Sequence, residues 1–150
     1  MATARDIADE IISRFHEAGS PITNLQLQKL MYYCQAWSLA TRDTPLFEGD
    51  FEAWAHGPVH RPTYDRFSHL RWNPIPDAIE APALEAGDRE HVDDVLAAYG
   101  HITGYGLERL THAELPWREA RGDVPEWERC NNVISTATMR DFYAARALVA

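Results

Sequence analysis

A mainly α fold is what the sequence predicts: about six helices with a small β element, in a single compact domain over residues 1–150. Three observations lead there. The stretch 24–40 is apolar almost all the way round, as a central buried helix is. Segments before and after it repeat apolar residues at i, i+3, i+4 and i+7. Strand-like alternation is confined to a short stretch between Pro45 and Pro58.

The first helix is expected over 3–18. Thr3 and Asp6 have capping-box spacing, and Ile7, Ile11, Ile12 and Phe15 form one apolar face. Gly19-Ser20-Pro21 ends it. The core helix follows over 24–40, where Thr23 and Gln26 repeat the capping spacing and Leu27, Leu30, Met31, Tyr32, Tyr33 and Cys34 fill the interior. Leu46, Phe47, Phe51, Ala53 and Ala55 suggest one or two short strands around a Gly49-Asp50 turn. Pro58 is expected to open a helix over 59–70. Pro74, Pro76 and Pro82 make 73–87 a long surface excursion. Val92, Val95, Leu96 and Tyr99 mark an amphipathic helix, and another is expected over 103–114, weakened by Gly104 and Gly106. Ser135 caps a last helix whose buried stripe is Met139, Phe142 and Tyr143.

With 45% apolar and 11% aromatic residues, the chain has material for a real core. It contains no apolar run of about 18 residues, so no membrane span is expected. The first residues acquire charge at once, unlike a signal peptide. Cys34 and Cys130 have neither metal nor redox spacing and read as reduced thiols in a cytoplasm. The balance of 14 basic and 23 acidic residues gives a net charge of −9, which argues against binding a nucleic-acid backbone. Such a surface suits a basic protein partner instead. Lys29 is the one lysine; the remaining cations are arginines, as codon usage in a GC-rich genome would give.

Three strings carry a resemblance. They are Gln28-Lys29-Leu30-Met31-Tyr32-Tyr33-Cys34-Gln35; Phe51-Glu52-Ala53-Trp54-Ala55-His56-Gly57-Pro58-Val59; and Leu107-x-x-Leu110-Thr111-His112-x-Glu114-x-Pro116-Trp117. In this order and at these separations the chain resembles the Panacea domain, the family of SocA-like and phage-associated GepA-like antitoxins. Gly104 and Gly106 depart from it, falling where the family more often has helix formers. The resemblance implies the antitoxin of a type II-like toxin–antitoxin system, neutralising a cognate protein toxin encoded beside it by direct contact. Some relatives present the toxin to a protease, which makes a Clp-type protease a second expected partner. No cofactor, no catalysis, no nucleic acid and no membrane enter that expectation.

Each motif residue also has a plain structural reading. Gln28, Leu30 and Tyr32 belong to the core helix, and Lys29 is expected to snorkel, its ammonium paired with a carboxylate. Gly57 and Pro58 read as a corner, with Trp54 packed on it and its indole N–H seeking an acceptor. Thr111, His112, Pro116 and Trp117 read as a helix end, Pro116 enforcing the exit and Trp117 covering the core. The residues offered to a partner are Lys29, Trp54 and His56. An enzyme is the alternative: His112 as general base oriented by Glu114, or a metal held by His56 and His60. Against it stand the lack of a nucleophile elbow or phosphate loop and of a third metal ligand, and Gly57-Pro58 between the two histidines.

Overall fold

The computed structural model describes residues 1–76 and 79–149. Seven α-helices appear among them: α1 (Ala4–Glu17), α2 (Asn24–Arg42), α3 (Arg61–Phe67), α4 (Ala86–Tyr99), α5 (Gly104–His112), α6 (Leu115–Arg121) and α7 (Thr136–Val149). A two-stranded sheet, β1 (Glu52–Trp54) and β2 (Gly57–Val59), lies between α2 and α3, and a 3-10 turn follows α3 at Ser68–Leu70. None of the helices is long and apolar enough to cross a membrane.

Capping chemistry starts the helices where the sequence says. Thr3 Oγ1 accepts from the Asp6 N–H while Asp6 accepts from the Thr3 N–H, a closed capping box. Thr23 accepts from the Gln26 N–H, but Gln26 donates to the Ile102 carbonyl rather than reaching back, so this cap is one-sided. Ser135 accepts from the Thr138 N–H at the head of α7. Gly106 accepts its place in the first turn of α5 because a Cβ there would lie 2.8 Å from Ile102 Cγ2.

The core forms around α2, which α1, α3, α4, α5, α7 and β2 all touch, α7 most extensively. Ile7, Ile11 and Ile12 of α1, Val92 and Val95 of α4, Leu107 of α5 and Met139 and Tyr143 of α7 are buried against it. Within 73–87, Ile75 anchors the chain: it is buried, and its N–H donates to the Ile22 carbonyl at 2.8 Å.

Three expectations are corrected. The hairpin turn is Ala55-His56 and not Gly49-Asp50, since Trp54 pairs with Gly57, Ala53 with Pro58 and Glu52 with Val59. Pro58 sits in β2; it is Pro62, in the first turn of α3, that plays the helix-opening part. The helix expected over 103–114 stops at His112, and Pro116 opens α6 instead of enforcing an exit. The described residues hold seven helices where the pattern suggests about six, the short α6 being the one that the pattern does not separate.

Candidate partner-binding site

The three strings meet at the hairpin. From α6, Trp117 Nε1 donates to the Trp54 carbonyl at 2.9 Å, and Arg121 Nη1 donates to the Ala53 carbonyl at 2.8 Å. The Arg121 guanidinium also donates to the carbonyls of Pro125 and Glu128 and lies 4.9 Å from the Trp117 ring centre. On the edge of β1 away from β2, the Ala53 N–H donates to the Asn132 carbonyl and the Ile134 N–H to the Phe51 carbonyl. From α2, Gln28 Oε1 accepts from the His60 N–H at 3.0 Å while its amide donates to Asn24. A charge-assisted donor and a ladder on either side leave the hairpin little freedom.

Gly57 is where α2 and α5 close on it. Its φ of 111° is open only to glycine, and a Cβ there would lie 2.5 Å from Lys29 Cε and 3.1 Å from Thr111 Oγ1. The string containing Lys29, the one containing Gly57 and the one containing Thr111 are thus one packing problem. Tyr32 and Leu30 are buried in the core below, as the sequence suggests.

Lys29 does not snorkel. It is 0% exposed, and its Nζ has no hydrogen-bond partner among the described residues. Desolvation draws the amine down from 10.5 to about 7, with the Glu108 carboxylate pulling the other way. Trp54 is half-buried, its indole N–H donating to Glu52 Oε1 at 2.9 Å and the Arg61 guanidinium lying 5.2 Å from its ring centre. Burial works against the Glu52 carboxylate, yet hydrogen bonds from Arg61 and Trp54 hold it below the usual carboxylate range. His56, at the turn, is exposed and shares a 2.9 Å hydrogen bond with Glu108.

The catalytic and metal pairings are not assembled. Glu114 faces away from His112 and accepts from the phenols of Tyr33, at 2.6 Å, and Tyr143, at 2.9 Å. His112 stacks on Trp117 with ring centres 3.9 Å apart, and burial lowers its pKa against the opposing charge of Glu108. His60 is buried against Phe47 and Phe51 and bonds Thr63, while His56 faces solvent. Among the described residues no three His, Cys, Asp or Glu side chains form a group fit to hold a metal.

Two cavities flank the Trp54–His56 ridge. One, of about 560 Å³, is lined by Arg61, Trp127, Arg129 and Asn131 along with the ridge. The other, of about 230 Å³, lies between the ridge and Tyr64, Arg71 and Trp72, with Lys29 in its lining. Trp127 is 81% exposed and Trp72 is 69% exposed. Trp72 follows Arg71, whose φ of 54° is unusual for a non-glycine residue, and its ring meets His56 edge-on at 5.8 Å. Of the residues lining these cavities, the sequence reading names Lys29, Trp54 and His56 as offered to a partner and does not name Trp72, Trp127, Arg61 or Arg71. Its available signal was a tryptophan in each of two stretches without helical or strand period.

The described residues form a fold built on one buried helix, with an aromatic ridge clamped by Trp117 and Arg121. The model of the antitoxin SocA-like Panacea domain matches residues 27–118, and the chain belongs to that family. It is 31% identical to the antitoxin SocA of Caulobacter vibrioides (strain NA1000 / CB15N), over 76% of this chain and 68% of that one. No solved structure gives a significant match.

Proposed function

We propose that the protein is the antitoxin of a type II-like pair. In this reading residues 1–150 act as one unit in the cytoplasm and neutralise a protein toxin encoded by the adjacent gene. Neutralisation is by direct contact at the Trp54–His56 ridge, with Lys29 beneath it, and involves no catalysis. The observation that carries the reading is the pair of exposed tryptophans, Trp72 and Trp127, on opposite sides of a ridge held by Trp117 and Arg121. Large exposed aromatics are unfavourable in water and are the side chains that dominate binding energy when covered. A ridge already fixed in place loses little conformational freedom on binding. Family membership and the SocA relative supply the class of partner.

The same contact serves simple occlusion of the toxin or its delivery to a Clp-type protease. Co-expression distinguishes them, because delivery shortens the toxin's lifetime only when the protease is active. The test of the reading is growth rescue by Trp72→Ala and Trp127→Ala variants. Both side chains are exposed, so folding should be unaffected and rescue lost. Full rescue by the double variant, with the toxin still pulled down, would remove the ridge from the interface.

A further inference from the structure

Lys29, whose buried ammonium has no hydrogen-bond partner among the described residues, is part of the lining of the smaller cavity. The walls beside Lys29 have spent their hydrogen bonds: Gln28 on His60 and Asn24, and Asn24 on the Tyr64 carbonyl. The ammonium has not. Its stem packs closely against Gly57. Glu108, the carboxylate that acts on it through space, is engaged by His56 at 2.9 Å and makes no hydrogen bond to it. Arg71 brings a second cation to the same cavity, and Trp54, Tyr64 and Trp72 give it flat apolar walls. A desolvated cation without a partner is stabilised by a counter-charge that arrives with its own apolar stem and leaves little water behind.

We infer that this cavity is an anion subsite in which Lys29, with Arg71 beside it, receives an aspartate or glutamate side chain of the partner protein. The inference rests on the proposed binding at the Trp54–His56 ridge and names what enters it. A side-chain carboxylate suits the cavity because its methylene stem packs on the aromatic walls while one acid group meets the ammonium. The chain's acidic surface attracts a basic partner at long range; this subsite has the opposite sign and acts at contact, where it fixes register.

Lys29 is the only lysine in the chain, so isotope-labelled lysine gives a single set of side-chain resonances in the full protein. Acetate should move that set and raise the lysine's titration midpoint by about 1 unit or more, as an opposite charge within a few ångströms does. Chloride at matched ionic strength should do neither. A resonance that acetate leaves where chloride leaves it overturns the subsite, and a larger response to inorganic phosphate overturns its assignment to a carboxylate. The interface arm uses the neighbour-encoded protein with wild type, Lys29→Met and Arg71→Gln. Lys29→Met should weaken binding about tenfold or more, and the loss should vanish against a partner whose matching acid is changed to its amide. Arg71→Gln, at a less buried position, keeps the test open should Lys29→Met not fold. If wild type binds and both variants bind equally well, the inference is wrong and the antitoxin reading stands. If wild type binds nothing, direct contact fails on its own, and the acetate titration alone then decides the subsite.

Discussion

Lys29 has consequences at the scale of one residue. Its amine is drawn from 10.5 in the unfolded chain to about 7 in the folded protein. Between those values the unfolded state binds the extra proton, so stability rises as pH increases from about 7 towards 10.5. Below about 7 the full penalty of a buried charge applies. Lys29→Met should abolish this rise and be more stable than wild type at pH 7 in chemical denaturation; an unchanged pH profile would show that the amine is not desolvated. Gly57→Ala tests the other side of the same contact. With φ at 111° and a Cβ 2.5 Å from Lys29 Cε, it should destabilise by about 1–3 kcal/mol. The sequence made Lys29 conspicuous, one cation in an apolar helix, and suggested a surface escape for it. Its stem packs instead against Gly57, brought in by long-range packing that helical periodicity does not encode.

Among the elements, α2 and α7 carry the fold. Leu30 is fully buried, and Leu30→Ala should cost about 2–5 kcal/mol. A loss below about 0.5 kcal/mol in a denaturant titration would contradict its core position. Tyr143 joins α7 to α2 through its hydroxyl, 3.1 Å from the Tyr32 hydroxyl and donating to Glu114 at 2.9 Å. Tyr143→Phe leaves Tyr32 and a buried carboxylate short of a partner and should cost about 1–3 kcal/mol, seen as faster amide exchange in α7. Both helices were legible: α2 is apolar almost all the way round, and α7 carries Met139, Phe142 and Tyr143 at helical spacing. Pro58 and Pro116 were not: the same residue opens a helix in α6 and sits in a strand in β2. Only the ladder to Glu52–Trp54 and the turn of Glu114 towards the two phenols decide which.

The whole molecule presents a net charge of −9 and a fixed aromatic ridge. The three motif strings were readable one by one, and so was the family they resemble. That they converge on Gly57 was not, since the contacts join residues 29, 57 and 111. Trp72 and Trp127 also escaped, because a tryptophan in an irregular segment has no period to show which way it faces. In the proposed complex, charge and ridge divide the work. Steering by opposite potentials raises the association rate, and buried anchors set the dissociation rate. Raising salt from low to about 0.15 M, where the Debye length is roughly 8 Å, should therefore slow association and leave dissociation nearly unchanged. Equal slowing of neither phase, or salt dependence confined to dissociation, would contradict that division.

Direct contact is the central claim, and calorimetric titration of the purified neighbour-encoded protein into this one measures it without the cell. The account requires a saturable, stoichiometric complex with wild type and a large loss of affinity with the Trp72→Ala, Trp127→Ala double variant, whose fold is checked by circular dichroism. No heat of binding at any salt concentration or temperature, in a pair that still rescues growth when co-expressed, would contradict it.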